Sequence, residues 1–141
     1  MKSKLALILI IAATSMLLLA CSPASKQASV QVSCDDFTNS KQISKEVEVA
    51  VGDSFTVTLC SNPTTGFEWE SAKIGDQTVL QLLDQKFVPP EETDVLGAPG
   101  KEVLTLKALK KGTSSVSMEY SRPWEGGEKA EWTFELTVVV K

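Results

Sequence analysis

Apolar and polar residues alternate with a period of two along most of the chain beyond Val47, the pattern of strands that bury one face. Val47, Val49 and Val51 alternate with Glu46, Glu48 and Ala50 before Gly52-Asp53 turns the chain. Phe55, Val57 and Leu59 then share a face opposite Thr56, Thr58 and Cys60. Leu104, Leu106 and Ala108 predict an inward face for a strand over Glu102–Ala108, and Val116, Met118 and Tyr120 one for Ser114–Tyr120. The final stretch is the clearest, with Trp132, Phe134, Leu136, Val138 and Val140 set against Glu131, Thr133, Glu135 and Thr137. Two weaker patterns predict a first strand carrying Val30, Val32 and Cys34 within Ser29–Phe37, and a strand over Phe67–Ala72 with Trp69 inward. Asp35-Asp36 and Thr38-Asn39-Ser40 read as loops. Val79–Leu83 fits helix or strand, and Phe87-Val88 runs into Pro89-Pro90, which stops any element. Short strands separated by turn residues, with no long amphipathic helix, predict an all-β sandwich.

Three stretches between these strands carry rigid turn chemistry. Ser61-Asn62-Pro63-Thr64-Thr65-Gly66-Phe67-Glu68-Trp69 has a turn-forming residue at nearly every position of its centre. Pro63 fixes one φ, Gly66 permits a positive one, and Asn62 can bond its own backbone two residues on. Spacing alone makes this a well-built turn. Leu96-Gly97-Ala98-Pro99-Gly100 is a second such stretch, equally compatible with a plain turn. Arg122-Pro123-Trp124 is the third, two residues before Gly126-Gly127. Its Trp lies in a polar loop with no alternating strand to carry it inward, and Trp and Arg are enriched at binding hot spots.

Catalysis is poorly provided for. The chain has no histidine, which removes Ser-His and Cys-His pairs and histidine acid–base chemistry. Asp35-Asp36 and Glu91-Glu92 sit in polar segments with nothing to desolvate one acid and split the pair's pKa values. Gly97–Gly100 is neither a dinucleotide fingerprint nor a P-loop. No catalytic residue, cofactor or metal ligand set is expected.

In order and spacing, Asn62–Phe67 with Trp69, Leu96–Gly100 and Arg122–Trp124 resemble the three signature loops of the chagasin-type inhibitors of papain-like cysteine peptidases. The resemblance covers roughly Val47 to Val140. It implies an immunoglobulin-like β-sandwich with three binding loops at one end, and a reversible, tight-binding competitive inhibitor that forms no covalent bond. By that resemblance the peptidase-binding residues are Asn62, Pro63, Thr64, Thr65, Gly66, Phe67, Leu96, Gly97, Ala98, Pro99, Gly100, Arg122, Pro123 and Trp124. Thr65 would lie near the catalytic cysteine of the peptidase. Cys60 stands where many relatives have a proline, so the loop base is expected to be held differently here. The alternative is a membrane-tethered immunoglobulin-like module that binds a cell-wall or host ligand, because one sandwich fold serves many functions.

The beginning of the chain reads separately from this domain. Lys2 and Lys4 precede an apolar run of 16 residues, Leu5–Ala20, short for a span of about 20. The run ends Leu18-Leu19-Ala20-Cys21, which resembles a bacterial lipoprotein box. Residues 1–20 are therefore expected to be a lipoprotein signal peptide, residues 21–29 a lipidated Cys21 with a flexible tether, and residues 30–141 the inhibitor-like domain. An uncleaved anchor and secretion without lipid are the other readings. Export with a lipid on Cys21 would hold the protein at the cell membrane or outer membrane, facing the periplasm or exterior. Without Lys2 and Lys4 the chain keeps 12 basic against 18 acidic residues, a net charge of −6 that excludes nucleic-acid binding by counterion release. Cys34 and Cys60 remain as an even pair in an oxidising compartment, either a disulfide or two half-buried thiols. A monomer is expected.

Overall fold

The computed structural model describes residues 27–91 and 94–141. The signal peptide and Cys21 lie outside the described residues, as do most of the tether and Glu92. Two sheets pack face to face. One has the order β1(Ser29–Val32)-β3(Ser54–Ser61)-β7(Gly100–Ala108)-β6(Leu80–Val88). The other has the order β2(Gln42–Val49)-β9(Trp132–Val140)-β8(Gly112–Ser121)-β4(Glu68–Trp69), with β5(Lys73–Ile74) also on β8. The alternating apolar positions form the core. Phe55, Val57, Leu59, Leu104 and Leu106 of one sheet meet Val116, Met118, Phe134, Leu136 and Val138 of the other, all buried.

Register places the three turn-rich loops at one end of the sandwich. β3 and β7 are antiparallel with Ser61 opposite Gly100, so the loop leaving β3 and the loop reaching β7 are neighbours. Glu68 of β4 pairs with Ser121 of β8, and Tyr120 pairs with Trp132, which brings the loop after β8 to the same end. β1 runs parallel to β3, with Ser29 opposite Thr56 and Val32 opposite Leu59. The chain therefore comes into the sandwich from the opposite end.

Four expectations change. The first strand stops at Val32, and a short helix, α1 (Cys34–Asn39), replaces the expected strand end and loops. Ser33 caps it: its hydroxyl accepts from the Asp36 N–H while the Asp36 carboxylate accepts from the Ser33 N–H, a reciprocal capping box. Asp35 and Asp36 in the first turn suit the positive helix end, and Phe37 is fully buried. The strand expected over Phe67–Ala72 shrinks to Glu68–Trp69, because the Gln85 side chain takes over the next backbone groups. It accepts from the Ala72 N–H and donates to the Glu70 carbonyl. Of the ambiguous Val79–Leu83 stretch, Val79 lies in a turn and the rest opens β6, an edge strand that runs on to Val88 at the Pro pair and is broken by a bulge between Leu82 and Asp84. Val51 lies in the turn after β2 and is exposed, not inward.

Cys34 and Cys60 form a disulfide, with Cα atoms 5.1 Å apart. It ties the first turn of α1 to the end of β3. The pairing closes a loop with a sequence separation of 26, which the chain-entropy model converts to about 3.5 kcal/mol of stabilisation.

Candidate functional site: a three-loop edge

Loop A (62–67) is ordered from within by Asn62. Its Oδ1 accepts from the Thr64 N–H at 3.3 Å and from the Thr64 hydroxyl at 2.6 Å. Its carbonyl accepts from the Thr65 hydroxyl at 2.7 Å and from the Thr65 N–H at 3.2 Å. Pro63–Thr65 form one 3₁₀ turn, closed by the Gly66 N–H donating to the Pro63 carbonyl. Gly66 has φ +82°, a left-handed conformation that any side chain would strain. Pro63, Thr64 and Thr65 stand out into solvent at the tip.

The other two loops bond to loop A. The Asn62 side-chain amide donates to the Gly97 carbonyl of loop B (96–100) at 3.0 Å. Arg122 of loop C (122–124) donates from Nη2 to the Thr65 carbonyl at 3.2 Å, and its guanidinium lies 4.5 Å from the centre of the Phe67 ring. Trp124 stands against Gly66: a Cβ added at Gly66 would lie 2.7 Å from Cη2 of the indole. Loop C is held behind by the Gly127 N–H bonding the Trp124 carbonyl and by Lys129 Nζ donating to the Arg122 carbonyl at 2.6 Å.

The three motifs therefore meet at one edge, though their residues differ in what they offer a partner. Leu96 is 99% exposed and Trp124 52%. Gly97, Pro99 and Pro123 are also exposed. Asn62, Gly66, Phe67, Ala98 and Arg122 are half-buried. Gly100 is buried as the first residue of β7, where an added Cβ would overlap the Val88 carbonyl and the Phe87 ring.

The base of loop A uses residues that the sequence marks only as core. The Tyr120 hydroxyl accepts from the Asn62 N–H at 2.7 Å, and the Trp69 indole N–H donates to the Cys60 carbonyl at 2.8 Å. Tyr120 is also the centre of an aromatic column. It stacks on Phe67 on one side (5.5 Å) and Trp132 on the other (4.7 Å), and Trp132 stacks on Phe37 of α1 (4.9 Å). A single Tyr two residues before Arg122 was the available signal, but its alternation with Val116 and Met118 spoke only of burial.

The edge carries no catalytic or metal-binding arrangement. Among the described residues no group of His, Cys, Asp and Glu could hold a metal ion. Among the described residues, the carboxyl pushed upward in pKa is Glu102, behind loop B. Burial disfavours its charge, the Gln85 side-chain N–H donating at 3.0 Å partly offsets this, and nearby Glu68 adds to it. The folded state thus holds a proton on Glu102 more tightly than the unfolded state. That contribution to stability is complete below the ordinary value of 4.5 and is lost as pH rises through the raised value. Glu102→Gln, which keeps an acceptor for Gln85 and never ionises, is expected to melt higher than the parent at neutral pH. The gain should shrink as pH falls through the raised value and be lost below the ordinary one, and an equal gain at every pH in thermal melts would contradict this account.

The distinctive surface of the sandwich is this pre-ordered edge of three joined loops. Residues 48–138 match the family described as "Chagasin family peptidase inhibitor I42". The chain belongs to the chagasin family of peptidase inhibitors, the one its three motifs resemble, and is not an enzyme. It is 37% identical over 81 residues to chagasin of Trypanosoma cruzi, covering 55% of this chain and 73% of that protein. It is 29% identical over 95 residues to amoebiasin-2 of Entamoeba histolytica, covering 67% and 76%. The fold is similar to that of EhICP2, a cysteine protease inhibitor from Entamoeba histolytica, with a TM-score of 0.62, 23% identity and coverage of 82% of this chain and 98% of that one. It is also similar to PbICP-C, solved in complex with falcipain-2, with a TM-score of 0.56, 16% identity and coverage of 79% and 98%.

Proposed function

We propose that the three-loop edge is the surface by which this inhibitor blocks a papain-like cysteine peptidase, reversibly and in competition with substrate. Loop A goes into the catalytic cleft with Thr65 foremost, loops B and C flank it, and no covalent bond forms. The observation that carries this reading is the joining of the loops: Asn62 bonds loop B, and Arg122 bonds the Thr65 carbonyl. An edge already held in one shape loses little conformational freedom on docking, so more of its contact energy appears as affinity. The choice of target class is supported by EhICP2, a cysteine protease inhibitor, and by PbICP-C in complex with falcipain-2.

Trp124 is the side chain on which affinity rests most, being large and half out in solvent at the end of loop C. Truncating an interface Trp anchor costs about 2 kcal/mol or more, roughly a 30-fold rise in Kd. Titration of papain should show competitive inhibition by the parent and that degree of weakening in Trp124→Ala, with circular dichroism unchanged. A folded parent that leaves papain untouched would favour an interaction module with another ligand.

We infer as well that the domain acts as an exported monomer held to a membrane by a lipid on Cys21. The tether reaches β1 at the end opposite the loops, so a domain anchored there would present its edge away from the lipid surface. The parent is expected in the membrane fraction with an acyl mass on Cys21, and Cys21→Ala in the soluble fraction or unprocessed. Parent protein free in the medium without that mass would contradict the anchor.

A further inference from the structure

The disulfide stands directly beneath loop A. Cys60 is two residues before Asn62, and its carbonyl is gripped by the Trp69 indole. Cys34 begins α1, whose Phe37 closes the column Phe37–Trp132–Tyr120–Phe67. The column reaches loop A at two points, both through Tyr120: its hydroxyl accepts from the Asn62 N–H and its ring stacks on Phe67. The base of the loop is thus held by one covalent tie and one stack, and both run to the same six-residue helix. α1 lies outside residues 48–138 and packs on the sandwich chiefly through Phe37. With the Cys34–Cys60 bond open, the helix keeps Phe37 but loses its fixed distance to Cys60.

We propose that Cys34 and Cys60 are positioning residues for the inhibitory loop, and that their disulfide makes the grip on the peptidase depend on redox state. The proposal rests on the inhibitor reading for its consequence, though not for the loop geometry itself. Cys60 is buried, so a small reagent meets the bond from the Cys34 side. Cys34 is half-buried, and both cysteines line a groove of about 370 Å³ that runs beside Asn62, Thr65 and Phe67. A dithiol attacks as thiolate, forms a mixed disulfide, and closes to its own cyclic disulfide. Two electrons and two protons pass to the protein, leaving Cys34 and Cys60 as thiols. A cysteine peptidase needs its own nucleophile as a free thiolate. Conditions that reduce and sustain the target therefore also act on the inhibitor, and its full strength belongs to an oxidising compartment.

The test measures two things with the bond closed and after dithiothreitol: amide hydrogen exchange in the free protein, and dissociation from papain. The papain carries a carbamidomethylated active-site thiol, so that thiol neither attacks the inhibitor's disulfide nor changes with the reductant. On reduction, the amides of residues 62–67 should exchange roughly tenfold faster while those of β8 and β9 hold. Dissociation should also quicken by roughly tenfold. Cys34→Ala/Cys60→Val should show both changes without reductant and no further response to it, and reoxidation should restore the parent. Reduced parent, with both thiols confirmed by mass and folding by circular dichroism, that keeps the oxidised loop exchange and dissociation rate would overturn the proposal. So would exchange that rises equally across the sheets, since that marks a bond of general stability only. If the oxidised protein neither binds this papain nor inhibits active papain, yet its loop exchange responds to reduction, positioning stands and the inhibitor reading falls.

Discussion

Thr65→Trp is expected to abolish inhibition while leaving the domain folded. Thr65 is exposed at the tip of loop A, where the proposed docking needs the backbone to come close to the floor of a cleft. Its hydroxyl turns back to the Asn62 carbonyl, so little of the side chain projects forward. A Trp there loses that bond and puts a bulky ring at the leading point, and rigid loops on both sides leave it no place to fold away. Steric exclusion of this kind discriminates more sharply than loss of a contact, and a fall in affinity on the order of a hundredfold or more is expected. Thr65→Ala separates size from chemistry. It removes two solvent-exposed hydrogen bonds, the one to the Asn62 carbonyl and a long one of 3.5 Å from the Phe67 N–H, worth about 1 kcal/mol each at most, and should weaken inhibition only several-fold. Because Thr65 lies outside the core, circular dichroism and melting should match the parent for both variants. A folded Thr65→Trp that inhibits papain like the parent would remove loop A from the cleft.

The same residues explain which parts of the molecule the sequence revealed. β9 could be read whole, since five inward apolar positions alternate with outward ones, of which only Val139 is apolar. α1 could not. Val30, Val32 and Cys34 happen to continue a period of two into the helix, and six residues are too few to display a period of 3.6. Only Ser33 and Asp36, spaced as a capping box, marked its start. The loops show a similar division. Asn62, Pro63 and Gly66 declare a rigid turn locally because each acts on its own backbone. Nothing local declares that Asn62 reaches Gly97, that Arg122 reaches Thr65, or that Tyr120 accepts from Asn62. Those bonds span 35, 57 and 58 residues and exist only once the two sheets have brought three connections to one end. Cys60 is the instructive case within a strand. It sits on the polar face of β3 yet is buried, because the disulfide draws α1 over that face.

Gly66→Val is the second substitution expected to destroy inhibition, for a reason internal to the edge rather than to the partner. Two independent demands meet at this position. Its φ of +82° costs an ordinary residue about 1–2 kcal/mol, and more for a β-branched one. Separately, the first side-chain carbon would press on the Trp124 indole at 2.7 Å. Valine must therefore flip the end of the turn, displace Trp124, or both. Either movement carries away the Thr65 carbonyl that Arg122 holds, and the three loops cease to be one surface. Inhibition of papain is expected to fall on the order of a hundredfold, with Gly66→Ala intermediate because it meets the same strain with a smaller clash. The two demands can be pulled apart in a Trp124→Ala background, where the clash is gone and only the strain remains. Gly66→Ala should then cost clearly less than it does beside Trp124, a coupling that two unconnected loops would not show. Equal costs in the two backgrounds, or a folded Gly66→Val with parental inhibition, would mean that loops A and C reach the partner independently.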